Sequence, residues 1–451
     1  MDPDFKKRLE RAVGKDSVET EIEGLQPHKK QMGRVPEAVV NVKDSRQASK
    51  VVKLANRFRV PFVFADSSGL LTKGENRVKR GFVLNFASMN RIKETRILDL
   101  LCVAGPGVTL DDLGSALKPC GFFFPPDPGG SGGQSLGRVV MDNAPFPAGI
   151  KYGATRDYVL GVEVVTPTGE VVALGSTTLK NSSGLQIERF FAGTSGMLGF
   201  PTEITVAVKP LPAKRSLCTA SFDSRKKGLE AVGDVLGSGV TPASLEMMDR
   251  AWARTCAVLE TMSGGIAFLL VELDGHATAV KRGTDVVSRI CRRAGALSVS
   301  RTSDTKKIEK WRRKRRSIEG FVSEDGTLAM SMVVPSSQVA ETLDQIGRIG
   351  KKHNLTAGTW GFFLGGNFHM VMVAAPGKRK STEETLAEVH NTVSSLGGAT
   401  NCSEMIGFSH SKIRTSKESS LDRVSLAIKK ALDPNEVLGA GRRSHRKAVQ
   451  S

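Results

Sequence analysis

The stretch KYGATRDYVLGVEVVTPTGEVV, Lys151 to Val172, holds both tyrosines of a 451-residue chain, Tyr152 and Tyr158, with Arg156 and Asp157 between them. Val159, Gly161, Glu163 and Val165 alternate with Leu160, Val162 and Val164; Thr166-Pro167-Thr168-Gly169 interrupts, and Glu170-Val171-Val172 resumes. A period of two broken by a Pro/Gly turn predicts a β-hairpin. Lys151 to Asp157 has no apolar period and reads as a loop feeding the first strand, where polar residues on a rigid frame often carry function. The plainer alternative is a buried strand with an Arg156–Asp157 pair satisfied at its mouth.

Upstream of the hairpin, Asp44-Ser45 is expected to cap a helix over Arg46–Phe58, in which Ala48, Val51, Val52, Leu54 and Ala55 recur near helical spacing. Strands are expected at Val60–Phe64, Phe82–Phe86 and Leu101–Ala104, with a helix at Leu110–Leu117. Gly121 to Gly153 is rich in Gly and Pro and reads as a long segment without regular structure, a texture usually tied to function inside a compact domain. Downstream, KPLP (Lys209–Pro212) marks a boundary. Strands at Leu217–Phe222, Ala267–Leu273, Leu328–Val334 and Phe368–Ala374 then alternate with helices at Gly228–Leu236, Val280–Arg293, Gln338–His353 and Thr385–Ser394. That alternation predicts a second α+β domain on an antiparallel sheet. A last helix, Leu421–Leu432, ends at Asp433-Pro434, and the chain closes on GRRSHRKAVQS.

Length implies two or three domains, and 39% hydrophobic residues support globular packing. No apolar run approaches the roughly 20 residues of a membrane helix, and MDPDFKKRLERAVGKD lacks a signal-peptide core, so a soluble, cytoplasmic protein is expected. Six cysteines without C-x-x-C spacing argue against a zinc or iron–sulfur site held by this chain and read as buried free thiols. The net charge of +19 is densest in KKIEKWRRKRR, Lys306–Arg316, which reads either as a solvated helix or as a surface for an anionic partner. Charge alone supports a third reading, a nucleic-acid-binding protein, although no nucleic-acid module accompanies it.

With the segments in order, the chain resembles the PCMH-type FAD-binding family, and within it the branch of flavin-linked D-lactate dehydrogenases and GlcD-like glycolate oxidases. The matching stretches include VPEAVV, VPFVF, PPDP (Pro125–Pro128), SLGRVVMDNA, the hairpin, LKNSSG and GTSGMLGFPTEIT, then the Trp-Arg helix, GGNFH and LDPNEVLGAGR. The resemblance implies an α+β protein. It would have a helical extension over 1–34, a PCMH-type FAD-binding domain over 35–213, a ferredoxin-like cap or substrate domain over 214–435 and a basic tail over 436–451.

By the same resemblance the cofactor is FAD. Its implied contacts are Ser67, Ser68, Gly69 and Leu70 in the first phosphate loop, Pro126, Asp127, Ser135, Leu136 and Gly137 in the second, and Asn143 and Gly153 beyond it. Gly193, Gly196, Gly199 and Ile204 complete the implied surface. Catalysis falls to His369 as base, with Asn367 and Glu404 beside it and Arg315 or Lys314 as carboxylate anchor; no metal is assigned. The implied reaction is oxidation of a D-2-hydroxy acid, with electrons leaving to an acceptor other than NAD, a quinone or a protein docking at a basic surface, peripheral at the inner membrane face in one version. No specific nucleic acid is implied.

The sequence also departs from the family. Its Gly-rich R-G-G-G-T-S loop is here Ala65-Asp66-Ser67-Ser68-Gly69-Leu70, its Gly-Gly pair is Gly137-Arg138, and N-A-G-G is Asn143-Ala144-Pro145-Phe146. A non-glycine residue forced into a left-handed conformation costs roughly 1–2 kcal/mol. A carboxylate at Asp66 about 4 Å from a phosphate charge adds about 4 kcal/mol of repulsion at an effective dielectric near 20. Arg138 is expected to pair with phosphate. Of the family's H-x-G-D-G-N-x-H, Phe362 and Gly365 replace the first His and the Asp, whereas Asn367 and His369 remain. These losses give the rival reading, a non-catalytic homologue acting as a subunit of such a complex.

Overall fold

The computed structural model describes residues 1–32, 35–66, 69–70, 81–129, 133–180, 184–255, 264–322, 328–353, 357–364, 367–374, 379–400 and 420–438. At its N-terminal side, two five-stranded sheets lie either side of the helix Ser45–Phe58. The first runs in the order Val18–Glu19, Val39–Asn41, Phe82–Asn85, Phe62–Asp66, Gly69–Leu70, and its three central strands are parallel. Parallel neighbours need a crossover. Ser45–Phe58 crosses over from Val39–Asn41 to Phe62–Asp66, the two strands that flank Phe82–Asn85, and is started by the Asp44 carboxylate accepting from the Gln47 N–H at 2.8 Å.

The opening hairpin anchors the second sheet. Val159–Val165 pairs with Val171–Gly175 on one side and with Phe200–Ala207 on the other, and Leu101–Ala104 and Ile92–Arg96 complete an antiparallel order. Its turn closes through the Thr166 N–H to the Glu170 carbonyl at 2.8 Å, with Gly169 at φ +85°. A Cβ at Gly169 would sit 3.0 Å from the Ser49 carbonyl oxygen, so only glycine lets the turn rest on the helix. Asn56 donates from the same helix to the Pro167 carbonyl. The hairpin thus locks one sheet against the other.

Residues 214–400 build an eight-stranded, wholly antiparallel sheet. Its order is Ser298–Thr302, Lys214–Phe222, Ala267–Gly275, Ser244–Asp249, Ala357–Leu364, Asn367–Ala374, Leu328–Pro335, Ala399–Thr400. Alternate residues face opposite sides. Leu269, Val271 and Leu273 pack with Val235, Val280, Val287 and Leu343 from the helices Arg225–Gly237, Ala277–Arg293 and Val339–Lys352. Phe268 and Leu270, one residue out of step, pack on the opposite face with Trp252, Ile308, Trp311 and Trp360. Antiparallel pairing agrees with the expectation, but the sheet has four more strands than the pattern suggested.

Two local readings are corrected. The Gly/Pro-rich span contains helices at Leu136–Met141 and Gly149–Tyr152, too short for a 3.6-residue period to register. Among the thiols Cys102, Cys218 and Cys291 are buried, whereas Cys120 is exposed at the end of a surface turn; Cys256 and Cys402 lie outside the described residues.

The chain end returns to the first sheet. Buried Asp433 accepts from the Val437 and Leu438 N–H groups at 3.0 Å each, and the Phe62 N–H donates to the Val437 carbonyl at 2.9 Å. Val437 and Leu438, which the sequence reading placed in the tail, are buried in the N-terminal core. Among the described residues no helix is long and apolar enough to cross a membrane.

Candidate functional site

The two segments expected to hold a diphosphate meet at one buried ion pair. Phe62–Asp66 ends on Asp66, and Gly69–Leu70 folds back on it with Asp66 opposite Gly69. Ser135 starts the helix Leu136–Met141: its Oγ accepts from the Arg138 N–H at 3.1 Å and donates to Asp66 Oδ2 at 2.6 Å. Arg138 then grips the same carboxylate with two prongs, Nε to Oδ2 and Nη2 to Oδ1, both at 3.1 Å, and Nη2 also donates to the Gly69 carbonyl at 3.0 Å. The side chains are 8% and 0% exposed. A forked guanidinium–carboxylate pair with a third donor is the arrangement that a buried carboxylate requires.

This corrects both sequence-based expectations about charge. Asp66 is not a bare anion facing a phosphate, and Arg138 is bound to Asp66 rather than standing open to one. The two departures from the glycine pattern compensate each other.

Gly137, between them, has no room for a side chain: a Cβ would fall 2.7 Å from Pro106 Cβ and 2.8 Å from the Pro106 carbonyl oxygen. Its N–H donates to that oxygen at 2.8 Å, and neighbouring Leu136 is fully buried. The close approach here is protein against protein.

A second group of predicted residues is stitched around the same helix. The Gly193 and Ser195 N–H groups donate to the Val140 and Met141 carbonyls at 3.2 and 2.8 Å. Asn143 and Ser195 hold left-handed backbones at φ +43° and +48°, a conformation rare for non-glycine residues and concentrated at functional sites. Asn143 Oδ1 accepts from the Arg156 N–H at 2.9 Å. Gly196 is confined by Met141 and Phe64, and Gly199 by Val164. Ile204 is buried in its strand opposite Ala104 and Val162. Pro145 and its neighbours are closed by Thr155 Oγ1, which donates to the Ala144 carbonyl at 2.7 Å.

The two tyrosines serve a different purpose. Tyr152 Oη donates to Asp274 Oδ2 at 2.9 Å, Lys151 Nζ donates to the Asp274 carbonyl at 2.7 Å, and Tyr158 Oη supports the turn by donating to the Tyr152 carbonyl at 2.8 Å. Asp274 lies on Ala267–Gly275 of the eight-stranded sheet, so the pair clamps the hairpin's entry loop to the C-terminal half. Burial, reinforced by Asp274, pushes the Tyr152 hydroxyl pKa up, which keeps it a proton donor. The Arg156–Asp157 pair is absent: Asp157 accepts from the Ala154 N–H at 2.8 Å, and both residues are exposed. Gly153 takes φ +83° beside it.

Next to the clamp is a cavity of about 350 Å³ between the halves, lined by Phe122–Phe124, Pro126, Asp127, Gln134, Arg215 and Arg312. Arg312 Nε donates to Glu272 Oε2 at 3.2 Å; burial works against its charge, but Glu272 and Glu309 outweigh that and push its pKa up. Arg215 is drawn the other way, its pKa lowered by burial and by the adjacent Arg312 charge.

Of the predicted residues, Pro126 and Asp127 line this cavity and Ser135 and Gly69 belong to the Asp66 cluster. Ser67, Ser68 and Glu404 lie outside the described residues, as do the side chains of Leu70, Lys314, Arg315, Asn367 and His369. The backbone of His369 pairs with Val333 and Phe362. The sequence singled out Tyr152 but not its partner Asp274, nor Arg215, Glu272 and Arg312. Glu272 and Asp274, two acids at alternate positions of an otherwise apolar strand, were the available signal.

Residues 211–442, more than half the chain, match the family described as "FAD linked oxidases, C-terminal domain", and residues 36–175 match "FAD binding domain". The chain belongs to the FAD-linked oxidases. Similar proteins include the glycolate oxidase subunit GlcD of Bacillus subtilis, 28% identical over 90% of this chain and 89% of its own. The mitochondrial cytochrome D-lactate dehydrogenase of Arabidopsis thaliana is 25% identical over 90% and 73%. Among solved structures, p-cresol methylhydroxylase with substrate bound superposes with a TM-score of 0.79 at 17% identity, covering 97% of this chain and 96% of that one, a likeness of fold.

This FAD-linked oxidase is therefore an oxidoreductase with a PCMH-type α+β fold, and FAD is its cofactor. The described residues fit the dinucleotide in the respect that the sequence put in question: the Asp66 carboxylate is neutralised by Arg138 and hydrogen-bonded by Ser135.

Proposed function

We propose that the protein oxidises a D-2-hydroxy acid of the lactate or glycolate type to the 2-oxo acid. The observation that carries the reading is that the likeness to GlcD and D-lactate dehydrogenase runs through 90% of the chain and so includes the C-terminal half, which borders the interdomain cavity. FAD supplies the acceptor for the two electrons that leave C2 with the hydrogen as hydride. His369 is assigned the role of base that takes the hydroxyl proton as the new C=O bond forms, and Asn367 and Glu404 are assigned supporting roles in the same step. Arg315 or Lys314 holds the substrate carboxylate by charge-assisted hydrogen bonds.

Electrons then pass to an acceptor other than NAD, a quinone or a protein, since no G-x-G-x-x-G follows a strand in the sequence. The test is turnover of FAD-loaded protein with an artificial electron acceptor and a panel of D- and L-2-hydroxy acids. D-lactate or glycolate should be oxidised, L-lactate should not, and His369→Ala should lower kcat by roughly 10²–10⁴-fold, the usual range for a general base. Loaded protein that turns over none of the panel would overturn the assignment.

A further inference from the structure

The eight-stranded sheet ends on an open strand. Ser298–Thr302 pairs with Lys214–Phe222 on one side, and among the described residues no strand pairs with its other side. Unpaired edges invite another chain unless blunted, and here the flanks are strongly cationic. On one face of the sheet lies the helix Ala277–Arg293, on the other the start of Thr305–Val322.

A groove of about 520 Å³ beside the edge is lined by Lys214, Lys281, Thr284, Asp285, Arg301 and Thr302. Arg301 is paired with Asp285. The ammonium groups of Lys214, Lys281, Lys306 and Lys307 make no ion pair among the described residues and all four residues are exposed, while Asp304 accepts from the Lys306 and Lys307 N–H groups at 2.8 and 3.3 Å. This local excess agrees with a chain whose net charge is +19.

We propose that this edge is a docking site for an extended, acidic segment of a partner protein, which adds as a further strand. The geometry separates a polypeptide from other anions. The cations stand on opposite faces of the sheet with the edge between them, so a flat surface meets one set at a time. A strand laid on the edge sends alternate side chains to both faces while its backbone satisfies the unpaired N–H and C=O groups. A bilayer or a nucleic-acid duplex offers charge without that backbone. The proposal does not depend on the hydroxy-acid assignment.

The test uses the full-length, FAD-loaded protein and a fluorescent peptide of Glu-Glu-Val-Val repeats, which places acids on both faces of a strand. Fluorescence anisotropy gives affinity at about 0.15 M salt, where non-specific attraction is largely screened. Hydrogen exchange gives location. The peptide should bind, slow exchange at residues 298–302, and lose on the order of tenfold in affinity with Lys214→Glu/Lys281→Glu, a change felt mainly through rim charge. The same peptide N-methylated at alternate amides should bind markedly less.

Absence of binding, binding without protection at 298–302, or an N-methylated peptide that binds equally well would each overturn strand addition. Displacement of the peptide by phosphatidylserine vesicles or by duplex DNA at the same salt would instead identify the surface as one for membranes or nucleic acid, and would also overturn the proposal.

Discussion

Replacing Arg138 by alanine isolates the feature that lets this chain depart from its family's glycine loop. Asp66 has no exposed side-chain surface and receives two prongs from Arg138 and one bond from Ser135. With the guanidinium gone, a buried anion loses its countercharge and two of its hydrogen bonds. Removing one member of a buried pair typically costs about 3–5 kcal/mol, chiefly as the penalty of the stranded charge. The same stranded charge would repel the diphosphate by about 4 kcal/mol at 4 Å and an effective dielectric near 20. At 1.4 kcal/mol per decade, FAD affinity should therefore fall by roughly three decades.

Asp66→Asn/Arg138→Ala removes the charge as well and should recover most of that loss, giving a coupling energy that the double-mutant cycle reads directly. Titration of apoprotein with FAD, followed by flavin fluorescence quenching, measures all four corners. An Arg138→Ala protein that binds FAD as tightly as the parent, or a double variant no better than the single, would refute the compensation.

Other substitutions probe the surroundings. Gly137→Ala places a methyl 2.7 Å from Pro106 Cβ and 2.8 Å from its carbonyl, so it should destabilise by about 1–3 kcal/mol in urea denaturation, as overpacking does. Tyr152→Phe deletes a hydrogen bond to the Asp274 carboxylate while Lys151 stays; a loss of about 1.5–3 kcal/mol is expected, with faster exchange of the Lys151–Gly153 amides. Burial pushes the Asp249 carboxyl pKa up, against hydrogen bonds from the Trp252 and Thr359 N–H groups and the Thr359 hydroxyl. A raised folded pKa means stability fully present below the unfolded value of about 3.9 and lost as pH rises through the folded one. Asp249→Asn should flatten that stretch of the stability–pH curve, and an unchanged slope would contradict the shift.

The sequence revealed the fold where the period was clean. The hairpin follows from alternation, the helix Ser45–Phe58 from a helical stripe with an Asp cap, and the strand Ala267–Gly275 from a short apolar run buried on both faces. Ala357–Leu364 was illegible because AGTWGFFL carries two glycines and no alternation, and Ser244–Asp249 because SLEMMD mixes helix formers with acids. In both, neighbouring strands on either side override local preference.

At the site, single positions were legible and pairings were not. Asp66 and Arg138 are 72 residues apart, and each by itself reads as a defect or as a phosphate ligand. Only the geometry shows that they belong to each other. The tyrosines likewise signalled an important loop, but their partner Asp274 sits 122 residues beyond Tyr152 on a strand that looks merely buried.

The chain is proposed to hold FAD despite its altered phosphate loop and to reduce it with a hydroxy acid. The most direct measurement is the visible absorption spectrum of the protein as purified, repeated after incubation with FAD and gel filtration, then after anaerobic addition of D-lactate or glycolate. Flavin bands should survive gel filtration and bleach with one of the two substrates. A colourless protein that cannot retain FAD would contradict that proposal.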